Sequence, residues 1–566
     1  MSRKVLIVGG VAGGAGAAAR LRRNDETAEI ILLEKGEYIS FANCGLPYYI
    51  GGTITERGSL QVQTPEGFQA RFRVDVRVRQ EVTAVDPAAK TVTVKNHTTG
   101  DTYTEGYDSL ILSPGAFPIR PRMPGMEENH IFTLRNIPDT YAIDEYIRDA
   151  APKNAAVIGA GFIGMEMAEN LCHRGLSVSV IEAAPHVMAP LDLDMAHLVH
   201  NYARGKGIRL CLGKKCSGFT ADSVLLEDGT SVPADMVILS IGVAPETKFL
   251  AGSGVELGRR GEILVDHELR TSVPDIYALG DAATVRNIVT GNSQVIPLAG
   301  PANKQARIVA DVICGKKAAY KGSQGTSVMK FFDQVVACTG EKEESLLAAG
   351  TPYKKSFTVS ASHAGYYPGG SQMIIKLLYT PGEGKLLGAQ IVGGEGVDKR
   401  IDHLANGVRF GLTVYDLQEM ELAYAPPFSS AKDPVNMAGY VAQNVLEGTM
   451  TPYFAEEAEA LPEGATGLDV RTPGELEALG TIPGYKNIPV DQLRQRLGEL
   501  DLTKPVYITC QVGLRGYLAQ RILVQNGARE VHNLSGGYTL YSARKKDLAE
   551  MADATPKNTT PCGKQE

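Results

Sequence analysis

Residues 155–182, AAVIGAGFIGMEMAENLCHRGLSVSVIE, decide the fold class of this chain. An apolar run at 155–158 leads into Gly159, Gly161 and Gly164, which hold complete G-x-G-x-x-G spacing, and a helical stretch follows. A second apolar run, SVSVIE, ends in Glu182, eighteen residues beyond Gly164. Strand, glycine turn, helix, strand and acid in that order form a dinucleotide-binding βαβ unit. The glycines let backbone N–H groups approach a pyrophosphate at the helix N-terminus. Glu182 is placed to accept from a ribose 2′-hydroxyl and to repel a 2′-phosphate, so NADH is expected over NADPH. The residues after it, Ala183, Ala184 and Pro185, supply no Arg, although a loop Arg or Lys could still admit NADPH.

An earlier copy of the same pattern opens the chain. KVLIVG (4–9) runs into GGVAGG (9–14), a small-residue helix AGAAARLRR (15–23) follows, and EIILLE ends in Glu34, twenty residues after Gly14. Val11 stands at the middle glycine position. Two further segments belong with these copies: DSLILSPGAFP (108–118), a strand closed by a Pro-Gly turn, and TSVPDIYALGDAA (271–283), a strand ending in Gly280-Asp281.

Composition bounds the rest. The chain has 566 residues, 43% hydrophobic and 21% charged, which excludes disorder as the dominant state and predicts about four domains. With 57 basic and 64 acidic residues the formal net charge is −7, which argues against nucleic acid or an anionic membrane as partner. No uninterrupted apolar stretch approaches the ~18 residues of a membrane span, and the opening shows no signal-peptide cleavage pattern. The eight cysteines make neither a dense disulfide framework nor paired C-x-x-C zinc ligands, so a reducing cytoplasm and no metal are expected.

The order of these motifs resembles the two-dinucleotide flavoprotein disulfide reductases, over about residues 1–448. The resemblance implies an α/β chain with two Rossmann-like domains, FAD on the first and NAD(P)H on the second, and an α+β dimerisation domain after them. It places the FAD-binding domain at 1–112 and 244–322, the NAD(P)H-binding domain at 113–243 and the dimerisation domain at 323–448. FAD contacts fall on Gly9, Val11, Ala12, Gly14, Glu34, Lys35, Val82, Ser113, Gly280, Asp281 and Ala299, with Asp281 matching the residue that bonds the ribityl chain. Pyridine-nucleotide contacts fall on Gly159, Gly161, Ile163, Gly164, Glu182 and Gly242.

SFANCGLPYYIGG (40–52) places Cys44 thirty residues after the first glycine turn, and the next cysteine is Cys172. A lone thiol can be oxidised only to a sulfenate or to a disulfide with something beyond the local loop. The S-F-x-N-C-G-x-P signature resembles the coenzyme A-disulfide reductase group, in which the single cysteine cycles through a mixed disulfide with CoA. The related NADH peroxidases carry a His in the first glycine turn, where this chain has Val11-Ala12-Gly13-Gly14 and no His before His97. A thiol substrate is therefore expected rather than peroxide.

CoA carries several phosphates, so cations should line its site. By the resemblance, Arg20, Arg23, Ser40 and Asn43 match channel positions, and Arg71 lies one place before the family's usual cation, where Phe72 stands. PLAGPANKQARIVAD (297–311) resembles the flavin-covering helix, with Asn303 and Lys304 at its substrate end. SHAGYYPGG (362–370) and ELAYAPPFSSAKD (421–433) resemble segments that reach the partner subunit's active site in a homodimer. Tyr366 and Tyr424 match tyrosines that can bond or protonate a departing thiolate, and Lys432 a CoA contact. Tyr367 would point the other way if this segment were a strand.

Around TPYFAEEAEALPEGAT (451–466) the composition turns acidic and Pro-containing, which reads as a linker, set at 449–462. Beyond it the strand VYITC delivers Cys510 into a six-residue loop ending at Arg515, ahead of an amphipathic helix. Such a loop aims several N–H groups at an anion and can hold a persulfide, with Arg515 adding positive charge. With Leu468-Asp469-Val470-Arg471, Asn487-Ile488-Pro489 and Gly536-Gly537, it resembles a rhodanese domain, an α/β module, over 463–550. Residues 551–566, with Cys562, are expected to form a flexible tail.

The whole resembles CoA-disulfide reductase–rhodanese fusions. The expected chemistry is NADH-dependent reduction of CoA persulfide, polysulfide or CoA disulfide through Cys44. Cys510 would deliver sulfane sulfur, and CoA would be substrate or tightly bound carrier. CoA-disulfide reduction for thiol homeostasis, NADH oxidation by oxygen, and a redox-sensing sulfur carrier are the alternatives.

Overall fold

The computed structural model of the chain describes residues 2–552. Cys562 and the expected tail from residue 553 onward lie outside the described residues. The backbone divides into two compact units, residues 2–183 with 207–325, and residues 184–206 with 326–552.

The first unit holds two parallel five-stranded sheets. One runs Ile276–Ala278, Ser109–Leu112, Lys4–Val8, Glu29–Glu34, Asp75–Val78. The other runs Arg209–Leu212, Ser177–Glu182, Asn154–Ile158, Met236–Leu239, Ile131–Thr133. Their central strands are apolar on both faces and buried, as parallel strands covered by helices must be. Each sheet carries its helix on a glycine turn: Ala12–Asn24 after the first strand, Phe162–His173 in the second copy. A side chain at Gly14 would collide with the carbonyl of Gly9, and one at Gly164 with that of Gly159, so the third glycine of both turns is fixed by helix-to-strand closeness. The middle position differs. Val11 has φ −93° and Gly161 φ −75°, both ordinary for any residue, which is why valine is accommodated in the first copy.

The helix Ala12–Asn24 buries a face of Ala15, Ala18 and Ala19 and packs closely on Ala299–Ile313. Arg22 at its end is itself buried, donating to the carbonyls of Asp25, Ala28, Phe72 and Arg73.

The second unit is built on an antiparallel five-stranded sheet, Ser327–Phe331, Gln334–Gly340, Leu386–Gly393, Gln372–Tyr379, Lys354–Ala361. Helices Val397–Phe410 and Pro434–Leu446 pack on it. Residues 184–206, the crossover between two strands of the second parallel sheet, pack within this unit. Their helix, Leu193–Gly205, packs on the strand Leu386–Gly393 and on the last helix, Gly537–Ala552. Charge explains the docking. Lys376, fully buried in the sheet, is met by Asp192 at 2.8 Å and Asp194 at 2.7 Å from the start of that helix, and by Glu343. A buried ammonium without these partners would be prohibitively costly.

A further parallel sheet in this unit runs Pro452–Tyr453, Val531–Leu534, Val506–Thr509, Thr466–Asp469, Lys486–Asn487. The first of these strands corrects the reading of 449–462 as a linker. Tyr453 is 2% exposed and Ala458 fully buried against Tyr507, Leu534 and Tyr541. Acidic residues and prolines mark the outer side of this stretch, while Tyr453 and Ala458 fill the core. Among the described residues no helix is long and apolar enough to cross a membrane.

Candidate functional site

At the second glycine turn a cavity of about 500 Å³ opens, lined by Gly159, Gly161, Glu182, Ile241 and Gly242. Glu182 ends its strand with Oε2 accepting from the backbone N–H of Ala160 at 2.7 Å, so the acid lies beside the turn. Ile163 is 39% exposed on the helix that follows, and an added Cβ at Gly161 would meet open space. The residues fit a dinucleotide: a glycine turn at a helix N-terminus, an acid at the second strand end and room between them. The sequence reading missed two cations here. Lys214 and Lys215 line the same cavity, and Lys214 is paired with Asp228 at 2.5 Å. They follow a strand that carries no motif, so only the fold brings them to Glu182.

The first turn repeats this arrangement. Glu34 Oε2 accepts from the N–H of Gly10 at 2.8 Å, and Ser113 N–H donates to Val8 at 2.8 Å, closing the strand ends around Gly9, Val11, Ala12 and Gly14. Gly280, at φ +77°, donates to Gln305 Oε1 at 2.8 Å, and Asp281 receives Arg135 at 3.4 Å. Ala299 begins the helix Ala299–Ile313, and Val82 is buried in the strand Gln80–Asp86. Lys35 is already ion-paired with Glu246 at 2.6 Å. The glycine cradle, the acid at the strand end and Asp281 fit a flavin dinucleotide as well as the second turn fits a nicotinamide one.

Cys44 sits in a 3₁₀ turn, Asn43–Gly45, directly before the helix Leu46–Ile50. It is a free thiol and exposed. The protein around it nonetheless depletes solvent enough to push the thiol pKa up, and the carboxylates of Glu166 and Asp281 push it further. Cys44 from the first fold, Asp281 from the chain's return to that fold and Glu166 from the helix Phe162–His173 thus converge electrostatically. Glu166 was not singled out in the sequence. It accepts from Tyr48 OH at 3.2 Å, and burial pushes its own carboxyl up to about 7. An acid two residues after the last glycine of a nucleotide turn, on a helix otherwise apolar over Met165, Met167 and Ala168, was the available signal. Asn43 Oδ1, next to the thiol, is buried with no hydrogen-bond partner.

The expected channel residues divide. Arg20 is held bidentately by Asp311, at 2.9 and 3.0 Å, which ties its helix to Ala299–Ile313. Arg23, Arg71 and Lys304 are exposed. Ser40 adopts φ +44° and its backbone bonds Gly10 and Val62. Asn303 is exposed, with Nδ2 donating to Ala299 at 2.9 Å.

In the second unit the hydroxyls of Tyr366 and Tyr424 lie 2.9 Å apart, with the residues 75% and 47% exposed. This bond raises the Tyr366 pKa. The segment around Tyr367 is a turn, not a strand, because Pro368-Gly369-Gly370 breaks it; the Tyr367 ring packs edge-on against His363 at 5.5 Å. Tyr424 also lines a cavity of about 430 Å³ with Arg400 and Phe428, and Lys432 is exposed nearby in sequence.

Cys510 ends the strand Val506–Thr509, 1% exposed, and its sulfur accepts from Gly513 N–H at 3.1 Å. Gly513 takes φ +107° to aim that N–H. A Cβ at Gly537 would strike the backbone of Cys510, Gln511 and Val512, so the Gly536-Gly537 pair is what lets the next helix close on the loop. Arg515 is clamped by Glu475 at 2.7 and 2.5 Å, which pulls the Glu475 carboxyl down to about 2.

Comparison with known proteins agrees with this geometry. The family model "Pyridine nucleotide-disulphide oxidoreductase" matches residues 3–306, its dimerisation domain 326–434, and a "Rhodanese-like domain" 454–544. A coenzyme A disulfide reductase of Staphylococcus haemolyticus is 38% identical over 444 residues, 78% of this chain and all of the relative. Among solved structures, the reduced Bacillus anthracis protein called CoADR-RHD superposes with a TM-score of 0.94 at 49% identity, covering 97% of this chain and 99% of that one. An NAD-dependent persulfide reductase from A. fulgidus superposes with a TM-score of 0.90 at 34% identity, covering 95% of this chain and 100% of that one. Two nucleotide folds meeting at an exposed cysteine, followed by a second cysteine-bearing loop, thus have full-length counterparts, and the chain belongs to the pyridine nucleotide-disulphide oxidoreductase family, with a rhodanese-like domain fused behind it.

Proposed function

We propose that this flavoprotein oxidoreductase uses NADH and FAD to reduce CoA persulfide, polysulfide and CoA disulfide, as a homodimer. The observation that carries the reading is Cys44, an exposed free thiol between Glu166 and Asp281, in a chain that also holds Cys510 in a loop able to cradle a persulfide. A bound flavin, reduced by NADH, supplies two electrons. Cys44 holds the sulfur that receives them. As a thiolate it attacks the CoA-bound sulfur of the persulfide; HS⁻ departs and Cys44–S–S–CoA remains. Two electrons and one proton then return the Cys44 thiolate and free CoA thiol.

Arg23, Arg71, Lys304 and, from the second copy, Lys432 are the exposed cations suited to CoA phosphates, and Ser40, Asn43 and Asn303 the polar groups along its arm. Tyr366 and Tyr424 of the second copy would steady the departing thiolate through their paired hydroxyls. Cys510 would accept sulfane sulfur and pass it to CoA or to Cys44. A loop that holds a persulfide is superfluous for plain CoA disulfide, which favours the sulfane reading. The staphylococcal likeness favours the second reading, CoA-disulfide reduction.

Anaerobic NADH oxidation with CoA persulfide and CoA disulfide at matched concentrations separates them. A kcat/KM at least about tenfold higher for persulfide, ~1.4 kcal/mol of transition-state preference, supports the first; the reverse ratio supports the second. Cys44→Ser should abolish turnover of every one of these substrates, and substantial residual reduction would sink the assignment. Oxygen consumption without any sulfur compound would instead mark an oxidase.

A further inference from the structure

The loop of Cys510 has two arginines beside it, and neither is free. Arg515 is bound bidentately by Glu475, and Arg471, fully buried, by Asp469, with Arg471 Nη2 at 2.7 Å from Asp469 Oδ2 and its guanidinium 3.9 Å from the Tyr538 ring. Arg471 also donates to the Gly480 carbonyl and reaches Gln511 in the loop at 3.4 Å, so it braces the loop rather than facing a ligand. Two cations and two carboxylates leave these four side chains with no net charge. The loop's remaining attraction for an anion is its backbone N–H groups, of which Gly513 already reaches the sulfur.

Three leucines on the elements that carry these groups are exposed. Leu514, inside the loop, is 58% exposed and Leu518, one helical turn on, 49%. Leu479, at the end of the helix that carries Glu475, is 51% exposed.

We infer that the Cys510 site is selective for organic persulfides, whose sulfur is borne on a hydrocarbon arm, over the dianion thiosulfate, and that Glu475 sets this choice by neutralising Arg515. This deepens the reading of Cys510 as a sulfur acceptor and rests on it. In the step the Cys510 thiolate attacks the outer sulfur of R–S–SH, the S–S bond of the donor breaks, R–S⁻ leaves with the bonding pair, and Cys510–S–SH forms. With the protonated persulfide, the form that can be attacked at its outer sulfur, only one negative charge is carried through that step. Attack on thiosulfate gathers three, one from the thiolate and two from the donor, where the side chains offer no surplus positive charge to offset them.

The test is loading of Cys510 in the full-length protein, followed by mass spectrometry of its tryptic peptide for the addition of one sulfur, with ethyl persulfide or thiosulfate as donor. The parent should load at least about tenfold faster from ethyl persulfide. E475Q, which can keep hydrogen bonds to Thr472 and Arg515 but loses the charge, should raise the thiosulfate rate about tenfold, and E475A should move it the same way. Equal rates from the two donors in the parent, or no gain in either variant, would overturn the selectivity. Loading from neither donor would overturn the acceptor reading itself.

Discussion

Glu166 acts on the Cys44 thiol electrostatically, from a helix that opens on the second glycine turn, and adds to the upward push that burial gives the thiol pKa. Its charge opposes the thiolate, and its own pKa of about 7 means that this opposition switches on across neutrality. Above pH 7 the carboxylate is formed and the thiol is harder to ionise; below it the neutral acid lets the thiolate form more readily. Glu166→Gln should therefore move the midpoint of Cys44 alkylation to lower pH and erase any inflection near pH 7. Superimposable alkylation profiles of parent and variant would show that the two groups do not communicate. Such couplings were not legible in the sequence, because Glu166 and Cys44 are 122 positions apart and no motif joins them. The two reactive cysteines were legible, since each lies within a local signature. The ion pair of Arg20 with Asp311 was not, since the two lie 291 residues apart.

Among elements, the two glycine turns explain what a fingerprint can and cannot say. Gly164 has no room for a side chain, with the Gly159 carbonyl and Ser240 Oγ in the way, whereas Gly161 faces open space at an unstrained φ. G164A should cost about 1–3 kcal/mol in denaturant unfolding by forcing helix from strand. G161A should stay within about 0.5 kcal/mol of the parent. Equal losses at both positions would contradict this account of the motif. Strand–turn–helix order and the acids Glu34 and Glu182 were readable because they are local. The turn at Pro368-Gly369-Gly370 was readable too, and it is what keeps Tyr367 out of a strand.

Over the whole molecule, long-range charge rather than periodicity decided what was missed. The helix Leu193–Gly205 is the crossover of the second nucleotide-binding sheet, and its His197 and His200 meet Asp547 of the last helix at 2.5 and 2.7 Å, with Arg204 on the same carboxylate. These partners hold the Asp547 carboxyl far below its usual range, while burial lowers the His200 pKa. Both shifts act with one sign. Below about pH 6.5 the unfolded chain binds a proton at His200 that the folded chain resists, and below about pH 4 the Asp547 contribution is lost as well. Asp547→Asn should cost roughly 3–5 kcal/mol at neutral pH, and the gap to the parent should narrow only below about pH 4, where the unfolded chain's aspartate takes up its proton. A pH-independent gap in chemical denaturation at pH 7, 5 and 3.5 would refute the linkage.

The edge strand Pro452–Tyr453 has a consequence for how such a chimera can be taken apart or assembled. Its seam is woven into the rhodanese-like sheet, with Tyr453 hydrogen-bonded to the carbonyl of Ile508 at the heart of that sheet. A cassette cut at the apparent spacer would leave the donor without its border strand and the recipient with an apolar stub. Recombination that moves this module intact must therefore cross over upstream of residue 452, where the helix Pro434–Leu446 has already ended.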